Sequence, residues 1–211
     1  METRLRNDFT AHYGLPVATI ANISATTTAS YFELKDDNNF IYTINGQGVA
    51  KYSNENAINI TVINYEYFFD SLPPVFIQGK EKCDLIVHDD NQRYILLNEL
   101  TDTLPVYVFP FINTQGQQPG KRQKAISQLL SSLTLTMNVP TIAAFADTHT
   151  FKHCCFFSKQ SMSPPTITAT TAFNRLGTLV RGGFRMSNPD MEAFGFEFWE
   201  YSGNQVYSFL D

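Results

Sequence analysis

The chain has 211 residues, 43% of them hydrophobic and 17% charged, with a formal net charge of −5. That length fits one domain, or one with a modest appendage, and suffices to bury a core without disulfide or metal staples. The acidic balance argues against a general nucleic-acid coat, and no apolar run approaches the roughly 18 residues of a membrane span.

The first residues, from Met1 to Asp8, are charged at intervals and lack an apolar signal core, which predicts a cytoplasmic protein. Residues 18–30 are small and aperiodic, an extended lead-in or an edge strand. Phe40–Ile44 and Val49–Tyr52 flank Asn45-Gly46-Gln47-Gly48 and read as a hairpin, because such turns demand positive φ. Glu33-Leu34-Lys35 has an acid-x-lysine form with no matching upstream acid, and Asp36-Asp37-Asn38-Asn39 reads as a turn rather than a calcium loop. Ile58–Ile63 alternates and is β-branched, as a strand should be.

Asn64 can cap a short helix with Tyr65, Phe68, Phe69 and Leu72 on one face, closed by Pro73-Pro74. Val75–Ile77, Leu85–Val87 and Tyr94–Leu100 read as a meander with a polar turn at residues 88–92. The longest helical pattern spans residues 121–137, with Ile126, Leu129, Leu130, Leu133 and Met137 at helical spacing and Lys121, Lys124 and Gln128 elsewhere on its surface. Pro140 is read as its close, Thr141–Ala146 as a buried strand, and Phe151–Phe157 as the hairpin partner of that strand.

Three cysteines exclude a disulfide framework. His149, His153, Cys154 and Cys155 are close in sequence, but their spacing matches no zinc motif, and on a strand the two cysteines face opposite ways. Ser161–Pro165 marks a boundary, dividing a core (residues 1–160, with an N-terminal β extension) from an aromatic-rich C-terminal extension (residues 161–211). Arg181-Gly182-Gly183-Phe184-Arg185 fits a glycine turn or a phosphate cradle. In the tail, Phe194, Phe196 and Phe198 alternate as one strand face, with Trp199 on the other as an anchor for a protein partner or a second copy.

Asp84 opens one apolar segment, and Glu99 closes the next, 99 − 84 = 15 residues later. Two neighbouring strands can set such carboxylates side by side for a hard divalent cation. With the helix that follows, this order resembles the core of the PD-(D/E)xK nuclease family. The resemblance covers residues 74–147 as strand, strand, strand, helix, strand. It implies a restriction-endonuclease-like fold of the α/β (α+β) class, with a mixed central sheet and one principal helix. It also implies magnesium held by Asp84 and Glu99, and nucleic acid as the partner. The family places a lysine two residues after its second acid, where this chain has Thr101. Divergent members carry that lysine on the following helix, which makes Lys121 or Lys124 its equivalent and Gln128 the accompanying polar residue. The expected function is a divergent metal-dependent nuclease, of the sort found in bacterial defence or mobile elements. The alternative is a catalytically inactive interaction or regulatory subunit on the same fold.

Overall fold

A computed structural model describes residues 1–37, 39–103, 107–113, 116–159 and 182–209. Ser161–Pro165 and Arg181 lie outside them. The described chain is an α+β protein built in three layers, with helices on one face of a mixed sheet and a smaller sheet on the other.

The chain opens with a helical segment that its charge pattern did not announce, a π-helical stretch (Arg4–Phe9) continuing into α1 (Thr10–His12). Leu5 and Phe9 anchor it in the core. Next come β1 (Ser24–Thr27), β2 (Tyr31–Leu34), β3 (Ile41–Tyr42), β4 (Ala50–Ser53) and β5 (Ile60–Asn64). The expected hairpin between Phe40–Ile44 and Val49–Tyr52 does not form, because β3 and β4 each pair with β2 on opposite sides of it. Glu33 decides this. Its buried carboxylate accepts hydrogen bonds from the Gly46 (2.9 Å) and Gly48 (2.6 Å) amides, pinning the loop against β2. A Cβ on Gly48 would sit 2.5 Å from the Glu33 Cβ, so glycine is needed there for close approach.

Helix α2 (Tyr65–Asp70) forms as its capping residue dictates, with Asn64 Oδ1 accepting the Tyr67 amide at 2.8 Å. Residues 74–77 are not a strand but a helical turn, α3 (Pro74–Ile77), with Pro74 in its first turn. There follow β6 (Leu85–Asp89), β7 (Tyr94–Thr101), a small hairpin of β8 (Phe111–Asn113) and β9 (Gly116–Gln118), and the principal helix α4 (Lys121–Met137). Helix α4 has the expected bounds. Leu129 and Leu133 are buried on it with Ala125, Ser132 and Thr136, while Ile126, Leu130 and Met137 are only partly covered.

Residues 141–146 are also not a strand. They belong to helix α5 (Pro140–Asp147), again opened by proline. So β10 (Phe151–Ser158) has no hairpin partner there, and pairs in parallel with both β7 and β12 (Glu197–Ser202). With β11 (Phe184–Met186), α6 (Pro189–Glu192) and β13 (Tyr207–Ser208), the large sheet runs β1-β5-β6-β7-β10-β12-β11 and the small one β13-β4-β2-β3. The C-terminal residues are thus woven into both sheets. Phe196 and Phe198 join the core under the helices, and Trp199 is half-covered on the other face, 5.6 Å from the His153 ring. Cys154 and Cys155 do face opposite ways, one in each core cluster, as free thiols. Among the described residues no single helix is long and apolar enough to cross a membrane.

Candidate metal centre

The β6–β7 pairing sets Leu85 opposite Asn98 in antiparallel register, which brings Asp84 level with Glu99 one step further on. The Asp84 amide donates to the Asn98 carbonyl at 3.1 Å, extending the ladder to this position. Directly opposed residues project to the same face of an antiparallel pair. Asp84 and Glu99 therefore share the face that α4 covers, two residues beyond the core position of Leu97.

Helix α4 also fixes the segment leading into Asp84. Gln128 Nε2 donates to the Lys82 carbonyl (2.9 Å), Ser131 Oγ to the Glu81 carbonyl (2.7 Å), and Ser132 Oγ accepts the Cys83 amide (2.7 Å). Gln128, the polar residue that the resemblance places at the site, thereby braces the backbone before Asp84. Asp84 itself is anchored twice. Its Oδ2 accepts the Leu100 amide at 2.6 Å, and its carbonyl accepts the Tyr65 and Glu66 amides at the start of α2.

Two acids that the sequence did not connect with this pair complete the cluster. Asp36, from the loop after β2, and Glu66, in the first turn of α2, each bring one carboxylate oxygen within 4.8 Å of the other and of Asp84. Glu99 stands outside this triad but feels the charge of all three acids; the residue is 8% exposed, and its Oε2 is buried without a hydrogen-bond partner. Burial, then the charges of Asp84, Glu66 and Asp36, push the Glu99 carboxyl well above the usual range. Burial likewise raises Asp84, with Asp36 and Glu66 adding to it against the opposing Leu100 amide and Lys82. Asp36 is an exposed residue, yet its carboxyl is raised by the part of it that packs among these acids and then by the Glu66 charge.

The positive charges nearby are few. Lys82 pairs with Glu66 at 3.2 Å and also with Asp70. Lys124 is exposed on α4, and its charge favours the ionised form of Glu99. Arg122 pairs with Glu200 at 2.5 Å. Thr101, where a family lysine would stand, donates its hydroxyl to Thr103 Oγ at 2.9 Å. Sequence reasoning missed Asp36 and Glu66 because nothing local distinguishes a turn acid or a first-turn helical acid from a metal ligand.

The donor set is entirely oxygen. Hard cations such as magnesium and calcium take such ligands, and an orphaned buried carboxylate oxygen beside a ring of acids is a fitting place for one. The histidine–cysteine segment makes no such group. His153 Nδ1 lies 2.9 Å from the Tyr207 hydroxyl, His149 Nδ1 lies 2.8 Å from the Phe145 carbonyl, and the cysteines are buried in the core. No family model, curated protein or solved structure matches the chain.

Proposed function

We propose that the protein is a divalent-metal-dependent phosphodiesterase acting on nucleic acid, with Asp84 and Glu99 as the central ligands. The observation that carries this reading is the unpartnered Glu99 Oε2, buried on the strand position opposite Asp84, which itself belongs to the oxygen triad of Asp36, Glu66 and Asp84. Such an arrangement is unfavourable while its carboxylates are ionised and uncompensated, and a divalent cation relieves it.

Topology supports the same reading. The chain runs through the antiparallel strands β5, β6 and β7, then α4, then β10 parallel to β7. With α2, α3, the β8–β9 hairpin and α5 inserted between them, these elements follow the strand, strand, strand, helix, strand order that the resemblance implies. It occupies residues 60–158 rather than 74–147, with β5 and β10 in place of the two segments that became helices.

Magnesium held by these acids would supply charge stabilisation at the phosphoryl group and acidify a bound water. Asp84 and Glu99 would hold it, with Glu66 and Asp36 completing the oxygen set. Lys124 would carry the positive charge toward the phosphate that Thr101 lacks. Gln128, Ser131 and Ser132 hold the Asp84 backbone in register from α4.

The test is cleavage of labelled DNA and RNA by the purified protein with magnesium or manganese, against chelator. Asp84→Asn and Glu99→Gln should each lower the rate at least about 100-fold, since even outer-shell changes cost about 10–100-fold at metal sites. Cation binding with no cleavage of any nucleic acid would favour the second reading, an inactive interaction or regulatory subunit. Thr101 in the place of the lysine is the observation behind that alternative.

A further inference from the structure

A cavity of about 350 Å³ opens between the β8–β9 hairpin and the start of α4, lined by Thr103, Tyr107, Phe111, Gln118, Lys121 and Lys124. Beside it lies a second cavity of about 300 Å³, lined by Asp36, Thr101, Asp102 and again Thr103 and Lys121. The two share Thr103 and Lys121, so a track leads from the acid Asp36 past one ammonium group to an aromatic slot. The volume of the slot is near the low end of the roughly 300–1,000 Å³ typical of small-ligand sites.

The rings of the slot are left open to a ligand. Tyr107 is 42% exposed and meets Phe111 edge-on at 4.9 Å, and Phe109 beside them is 52% exposed. The hairpin that carries Phe111 forms a two-stranded sheet of its own. Neither Lys121 nor Lys124 is ion-paired among the described residues, whereas Arg122, between them in sequence, is held by Glu200. Gln118 adds an amide that can both donate and accept.

We propose that this cavity is a base-binding slot of the same centre and that the substrate is single-stranded nucleic acid. This rests on the phosphodiesterase reading for the reaction itself. A planar base stacks on the open face of Tyr107 with Phe111 against its rim, Gln118 offers hydrogen bonds to its edge, and Lys121 takes the phosphate between the slot and the carboxylates. Bases stacked and paired within a duplex cannot enter such a slot without being flipped out, which costs their stacking and pairing. Charge points the same way. A chain of net charge −5 with two lysines one helical turn apart, neither ion-paired among the described residues, suits a short run of backbone better than the broad basic face that duplex binding uses.

The experiment is fluorescence anisotropy with a short fluorescein-labelled oligo(dT), an oligo(rU) of equal length and a blunt DNA duplex, first in chelator and then with magnesium. The oligo(dT) and oligo(rU) arms distinguish DNA from RNA. At least one single strand should bind at least about tenfold more tightly than the duplex, and Tyr107→Ala should weaken it about fivefold or more while Tyr107→Phe retains binding. Lys121→Gln should weaken it and flatten its salt dependence. A duplex bound or cleaved as well as either single strand overturns the inference and leaves the phosphodiesterase reading standing. So does wild-type single-strand affinity in both Tyr107→Ala and Lys121→Gln. Single-strand binding lost in Tyr107→Ala, with no magnesium-dependent cleavage, supports the slot and overturns the phosphodiesterase reading instead.

Discussion

Asp84 and Glu99 oppose each other across the β6–β7 pairing, and the Leu100 amide next to Glu99 donates to Asp84 Oδ2 at 2.6 Å. One carboxylate is thus tied to the strand that carries the other. The tie satisfies Asp84 and leaves the buried Oε2 of Glu99 without a partner.

That asymmetry makes stability depend on pH in a defined direction. Both carboxyls are pushed upward, by burial first, so the folded chain keeps protons that the unfolded chain releases near pH 4. Their contribution is therefore favourable below about pH 4 and is lost as pH rises toward the elevated native values. Glu99→Gln should raise the thermal midpoint at pH 8 by about 2–4 °C, equivalent to about 1 kcal/mol for a chain of this size, and by little at pH 4. Melts at the two pH values check it, and equal shifts at both would place the effect outside titration.

Divalent cations should offset the same repulsion. Without chelator at pH 8, magnesium or calcium should raise the wild-type midpoint in proportion to the logarithm of concentration once above its dissociation constant. Asp84→Asn with Glu99→Gln should abolish the rise, while Asp36→Asn or Glu66→Gln alone should shift it to higher cation concentration. Calorimetric titration reads the affinities directly. A wild-type response preserved in the double variant would remove this pair as the binding site.

Ser132 offers a different kind of test, because it acts on the backbone before Asp84. Its hydroxyl accepts the buried Cys83 amide at 2.7 Å. Ser132→Ala leaves that N–H unsatisfied and should cost about 1–3 kcal/mol in denaturant melts. Cation affinity should fall with it, since Asp84 follows Cys83 directly.

Leu129 is fully buried beneath the sheet, whereas Leu130 is only partly covered on a neighbouring face. Leu129→Ala should cost about 2–5 kcal/mol. Leu130→Ala should cost clearly less, and equal losses would mean that α4 is rotated from the orientation described.

Three local signals in the sequence point to structures that the fold does not adopt. Pro74 and Pro140 look like ends of structure in the sequence, yet each stands in the first turn of a helix, where a missing N–H costs nothing and the ring presets φ. Short apolar runs such as Thr141–Ala146 carry no periodicity that separates strand from helix. The misplaced hairpin has a similar origin. Turn chemistry at residues 45–48 was legible, but the pairing partner was set by the Glu33 carboxylate well upstream.

The sequence by itself determined the elements whose cause is local. These are the Asn64-capped α2, the seventeen-residue α4 and the strands β6, β7 and β10. The fifteen-residue spacing also made the facing of Asp84 and Glu99 feasible, and the antiparallel β6–β7 register realises it. Only the tertiary structure decided that Asp36 and Glu66 join them, that Gln128 holds a backbone carbonyl, and that the C-terminal strand β12 enters the large sheet beside β10. Those relationships link residues tens of positions apart. They are set by how layers pack and which strand edges pair, and neither leaves a mark on the spacing of neighbouring residues.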